Sequence, residues 1–147
     1  MELILVIVLL SILSLVATSR FMGSSSFSAY TLQERVISVI RQVQVNRMQS
    51  NVASPDNNFR LQVSSSCVGS VAACALTGSA QDARSDVVID KSAKFSVISG
   101  AANTINFNLL GNPVSGAVNI LIEDKHGRSR CQVEINSQGY VSKGTCS

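Results

Sequence analysis

Met1-Glu2-Leu3-Ile4-Leu5-Val6-Ile7-Val8-Leu9-Leu10-Ser11-Ile12-Leu13-Ser14-Leu15-Val16-Ala17 opens the chain. From Leu3 to Ala17 there is no charge, no Gly and no Pro, and Leu, Ile and Val dominate, so a helix here is apolar on every face. Its natural solvent is lipid or other apolar helices, not water. Glu2 stands directly before the run, and a carboxylate beside hydrocarbon costs several kcal/mol unless a cation or a hydrogen-bond donor meets it. Glu2 therefore calls for a partner.

Two simpler accounts of this segment fit less well. A secretory signal peptide begins with Lys or Arg, whereas this run begins with Glu2 and meets no basic residue before Arg20. An ordinary membrane anchor needs about 20 apolar residues, and Leu3 to Ala17 falls short unless Thr18, Ser19, Phe21 and Met22 are counted. Anchoring alone also gives no reason for an acid at the start.

Glu2, the Leu/Ile/Val run and then Ala17-Thr18-Ser19-Arg20-Phe21 resemble the N-terminus of type IV pilins and pseudopilins. In that family a basic leader ending in Gly is removed by a prepilin peptidase, and the new N-terminal residue, usually Phe, is methylated. A glutamate four residues further on precedes the apolar helix. The resemblance sets Glu2 on that glutamate, so that Met1 would be the fourth mature residue, with the leader and three mature residues upstream of the given sequence. It departs from the family in having Ser11 where many members have a helix Gly and Ser19 where many have a kinking Pro. Without those breakers, local melting of the helix has less to start it. Ile105-Asn106-Phe107-Asn108-Leu109-Leu110-Gly111-Asn112-Pro113, followed by two hairpin-like strands and a late Cys, is similar to minor pilins and pseudopilins of the GspH/FimT kind.

The resemblance implies an α+β chain with the type IV pilin fold, a long N-terminal helix packed on an antiparallel β-sheet head. Residues 1–24 would be the hydrophobic helix half, for the membrane and later the filament core. Residues 25–147 would be the head, with the amphipathic half of the helix at about 27–51 and the sheet at about 59–147. Glu2 would be the assembly residue, its carboxylate meeting the amino terminus of a neighbouring subunit in a helical bundle and fixing axial register. Other pilin subunits, the inner membrane before assembly, the pilus assembly platform and the prepilin peptidase are the implied partners. The head would be periplasmic until the subunit enters a pilus or pseudopilus at the cell surface.

Composition agrees with one head. At 147 residues there is room for a single domain of roughly 90 to 100 residues beyond a long helix. The net charge of +3 is spread along the chain with no run of Lys or Arg, which gives no support for nucleic acid or an anionic membrane face as a partner. Five Phe, two Tyr and no Trp are too few for stacking platforms. Four cysteines, all in the later part of the chain, suit an oxidising compartment.

Beyond the apolar run, Gly23-Ser24-Ser25-Ser26 predicts a bend or local unwinding before the helix resumes at Ala29. Val36, Ile37, Ile40, Val43 and Met48 then recur at helical spacing, so this half is amphipathic and wants a sheet to lie on. A nearly continuous helix to about Asn51 would measure roughly 75 Å. Ser50 to Asn58, with Pro55 and paired Asn, reads as a stop and a loop. Strands are predicted at Phe59–Val63, Asp86–Asp90, Lys94–Ile98 and Ile105–Leu109. An antiparallel meander follows, with Val118–Glu123, Ser129–Ile135 and Tyr140–Lys143 joined by turns at Asp124-Lys125-His126-Gly127 and Asn136-Ser137-Gln138-Gly139. Ser/Gly-rich residues 64–84 read as surface loop.

Cys131 and Cys146 flank the last hairpin symmetrically about Gln138 and Gly139, and Cys67 and Cys74 could close a short loop. These pairings are favoured over the other two connectivities, although sequence alone cannot fix the choice. Neither pair has the short gap of a zinc motif, and the single His126 is remote from both in sequence. His126 sits in a polar turn with no nucleophile elbow, second His or phosphate loop to accompany it, so no catalytic residue, metal ligand or cofactor is assigned. Asp82, Asp86 and Asp90 recur every four residues, but Val87-Val88-Ile89 argues for strand, and the three acids read as solvated charges and loop caps.

Overall fold

The computed structural model describes residues 2–21, 28–100 and 102–147. Helix α1, Glu2–Phe21, is unbroken through Ser11 and on past Ser14. Helix α2, Ser28–Gln49, carries the amphipathic pattern. The bend expected at residues 23–26 lies outside the described residues. Asn51 takes a left-handed conformation, φ 48°, just past the end of α2, a geometry that Asn tolerates better than most side chains and that turns the chain out of the helix.

The head is built from strands β1 (Arg60–Val63), β2 (Cys67–Ser70), β3 (Val87–Ile89), β4 (Ala93–Ser99), β5 (Thr104–Asn106), β6 (Val118–Asp124), β7 (Arg130–Ile135) and β8 (Val141–Cys146), with single helical turns α3 (Val71–Cys74) and α4 (Ser79–Asp82) after β2. These strands form two antiparallel sheets instead of one. The first runs β3-β2-β1-β5 and the second β4-β6-β7-β8. The second is the expected meander with β4 added at the β6 edge, Phe95 opposite Ile122 and Ile122 opposite Cys131. In the first, Leu61 pairs with Ser70 on one side and with Ile105 on the other.

Helix α2 lies across both sheets. Val36, Ile37, Val39, Ile40 and Val43 are buried against Leu61, Val68 and Val88 from one sheet and Ile120, Val133, Ile135 and Val141 from the other, so a single core fills the space between. Alternation along β6 puts Val118, Ile120 and Ile122 inward, as period-two patterning requires.

Three expectations are corrected. Met48 is half-exposed, and Arg47 takes the buried place in that turn. Residues 64–84 are not a surface loop throughout, since every residue of β2 is buried between β1 and β3. Its small composition reflects packing there: a Cβ on Gly69 would come within 2.5 Å of the Asp86 carbonyl oxygen. Asp86 is buried instead of solvated.

Candidate assembly surface

Leu3, Ile4, Leu5, Val6, Ile7, Val8, Leu9, Leu10, Ile12 and Leu13 of α1 are all more than half exposed. Ten consecutive-turn positions cover the whole circumference at 3.6 residues per turn, so this surface has no dry side and no wet side. Contiguous apolar exposure on this scale marks a surface meant for lipid or protein. The two hydroxyls in the run are taken care of internally. Ser11 Oγ donates to the Ile7 carbonyl and Ser14 Oγ to the Leu10 carbonyl, each at 2.8 Å. Both can thus sit among apolar neighbours without the cost of an unpaired donor. Glu2 occupies the first turn, where a carboxylate is favoured by the helix N-terminus. It makes no hydrogen bond or ion pair with another described residue, so any further partner must come from outside them. Among the described residues, no helix is long and apolar enough to cross a membrane.

What presents α1 is a head locked onto α2 by long polar side chains. Gln33 donates from Nε2 to the Gln132 carbonyl at 2.7 Å, and Arg41 from Nη2 to the Val141 carbonyl at 2.9 Å. Gln44 Nε2 bridges the Gly111 and Gly139 carbonyls at 2.9 and 2.8 Å, joining two loops. Arg47 donates to the carbonyls of Phe107, Val52 and Ala53 and to the Ser50 hydroxyl. The Glu34 carboxylate pairs with Lys143 at the surface. The sequence held a signal for these ties: Gln33, Ile37, Ile40, Gln44 and Arg47 share one helical face, so the polar members had to find partners inside the head. Their identity was not legible, because those partners lie up to about a hundred residues away.

Both cysteine pairs are disulfides, Cys67–Cys74 and Cys131–Cys146, leaving no free thiol. Cys131 and Cys146 stand directly opposite on β7 and β8, their Cα atoms 4.1 Å apart. Arg84 grips the buried Asp86 carboxylate with two bonds, Nε–Oδ1 at 2.8 Å and Nη2–Oδ2 at 2.7 Å. Burial alone would raise the Asp86 carboxyl, but hydrogen bonds from Arg84 and Ser70, together with the Arg84 charge, outweigh it and hold Asp86 below the usual carboxylate range. Asp90 caps the turn to Ser92, and His126 is exposed in the β6–β7 turn. The described residues hold no group of three His, Cys, Asp or Glu side chains placed to bind a metal.

No protein-family model matches the chain, and no curated protein matches its sequence. Among solved structures, it is similar to the crystal structure of the Pseudomonas aeruginosa type IV minor pilin FimU. The two share 10% identity with a TM-score of 0.50 over 79% of this chain and 92% of the other. At that identity the likeness concerns fold, and the fold is that of type IV pilins: an N-terminal helix followed by an antiparallel β head.

Proposed function

We propose that this chain is a structural minor pilin or pseudopilin, a subunit used to build a type IV pilus or a type II secretion pseudopilus. The observation that carries the proposal is α1, apolar and exposed around its circumference, headed by Glu2 and joined to a head of pilin fold. Before assembly α1 is immersed in the inner membrane, and after assembly it packs among the helices of neighbouring subunits. Moving it from lipid to a helical bundle exchanges one apolar surrounding for another, so extraction carries no large hydrophobic penalty. Glu2 supplies the specific contact, pairing with the amino terminus of the next subunit and setting the axial step. Within the family, the GspH/FimT-like members fit best, with the minor pilin MshC of the mannose-sensitive haemagglutinin pilus as the nearest individual candidate. The prepilin peptidase and the assembly platform are the corresponding processing partners.

A pilus-borne adhesin is the second reading. It is favoured by Leu110, 77% exposed at the far end of the head, beside a cleft that Val45 and Met48 also line. Gene deletion separates the two: lost filaments mean assembly, and intact filaments that no longer adhere mean binding.

The direct test is Glu2→Ala in cells, followed by membrane fractionation and by immunodetection in sheared filaments. The variant is expected to reach the membrane as wild type does and to be depleted in filaments. Wild-type incorporation of Glu2→Ala would overturn the assignment.

A further inference from the structure

Three of the four lysines in the chain, Lys91, Lys94 and Lys125, are gathered by the fold at one end of the second sheet. Lys125 donates its backbone N–H to the Ser92 carbonyl at 2.8 Å, and Lys94 pairs across the ladder with Glu123, two residues before Lys125. The side chains of Lys94 and Lys125 are therefore diagonal neighbours on the outward face. All three lysines are exposed, and none forms an ion pair with a described residue. The exposed Arg128 and His126 complete the same turn. Of the carboxylates nearby, Glu123 pairs with Arg130 at 2.8 Å and Asp124 is buried, while Asp90 accepts from Ser92 and keeps its charge, so the three lysines outnumber the acid left exposed to them. Ser147 exchanges backbone hydrogen bonds with Arg130 at the opposite edge, with β6 and β7 between it and β4.

The position of this cluster along the head is as informative as its charge. Gln33 bonds to Gln132 and Arg41 to Val141, which pairs with Ile135, so α2 and β7 run in the same direction. From Gln132 back to Arg130, where β7 begins, is about 7 Å at 3.3 Å per residue, with the turn lying beyond it, and from Gln33 back to Ser28, where α2 begins, is about 7.5 Å at 1.5 Å per residue. The turn thus lies at about the level of the start of α2, at the end where the chain enters from α1.

We infer that the β6–β7 turn and the adjoining β4 start, through Lys91, Lys94 and Lys125, form a docking surface for anionic phospholipid headgroups. The inference rests on the reading of α1 as the membrane-inserted part of the unassembled subunit. With α1 in the bilayer, this end of the head is the one next to the headgroups, and a basic side chain within a Debye length of about 10 Å is attracted to them. Each such side chain strengthens attachment about fivefold at an anionic leaflet. The contact steadies the head on the membrane before the subunit is withdrawn into a filament.

The full chain reconstituted in vesicles tests this. Vesicles of phosphatidylcholine alone are compared with vesicles containing phosphatidylglycerol, using a water-soluble amine-acylating reagent and peptide mass spectrometry. Lys143, held by Glu34, is the internal reference. Acylation of Lys91, Lys94 and Lys125 relative to Lys143 is expected to slow severalfold in the anionic vesicles and to recover in high salt. Equal rates in the two compositions would overturn the inference, as would equal protection by soluble glycerol phosphate in neutral vesicles, which would mean a site for free anions. Co-sedimentation is scored in parallel. A chain that sediments with neither vesicle refutes the membrane reading of α1, whereas a chain that sediments with both and labels equally refutes only the lysine surface.

Discussion

The guanidinium of Arg47, 3% exposed, donates from Nε to the carbonyl of Phe107 at 3.0 Å and so ties the end of α2 to the chain just beyond β5, sixty residues later. Its remaining donors go to the Ser50 hydroxyl and the Val52 and Ala53 carbonyls, which folds the exit from α2 back onto the helix. A planar fork with five N–H groups suits several carbonyls approaching from different directions, whereas an ammonium concentrates its donors at one point.

Replacing Arg47 is therefore expected to cost more than the loss of a surface charge. Arg47→Met should lower unfolding free energy by about 2–4 kcal/mol, because it leaves buried carbonyls unpaired, and Arg47→Lys should recover less than half of that. Urea unfolding of the detergent-solubilised full chain reads both. A change in Arg47→Met no larger than that of a surface substitution would show that the carbonyls are satisfied without Arg47, and full recovery by Arg47→Lys would show that the planar fork is not required.

The two disulfides should differ modestly in what they contribute. Cys131 and Cys146, fifteen apart in sequence, close the longer loop and should be worth about 3 kcal/mol, against about 2.5 kcal/mol for Cys67 and Cys74, seven apart. Paired Cys→Ser variants measured by urea midpoint check the order. A larger loss from the Cys67/Cys74 pair would mean that packing of the buried β2 outweighs loop entropy.

Asp86 gives the head a specific acid sensitivity. Its carboxyl is held below the ordinary value of 3.8, so the folded state binds its proton less readily than the unfolded state. The stabilisation is fully present above that ordinary value and is lost as pH falls through the lower, folded-state one. Wild-type stability should consequently drop more steeply below about pH 4 than that of Asp86→Asn, which should be less stable at neutral pH because Arg84 loses its partner. Parallel acid profiles from both proteins would remove Asp86 from the account.

Gly139 has two reasons to be glycine. Its φ is 81°, and a Cβ there would collide with the Gly111 carbonyl oxygen, the group that Gln44 also binds. Gly139→Ala should destabilise by about 2–4 kcal/mol, combining a strained backbone with the displacement of a packed loop. Gly116, with a similar φ of 85° and open space around it, is the control: Gly116→Ala should cost only about 1 kcal/mol. Equal losses at the two positions would mean that the loop contact adds nothing.

Sequence by itself determined the elements whose cause is local. The apolar run made α1, spacing of Val36, Ile37, Ile40 and Val43 made the buried face of α2, and alternation with turn residues made the β6–β7–β8 meander. Each follows from side-chain periodicity along one stretch, which needs no knowledge of what lies opposite. Tertiary structure decided the rest: the split into two sheets, the burial of β2 and of Asp86, the loops held by Gln44 and the gathering of dispersed lysines at one end of the head. A polar residue's fate depends on which backbone or charge the fold brings within hydrogen-bond reach, and those groups lie tens of residues away, where no local pattern records them.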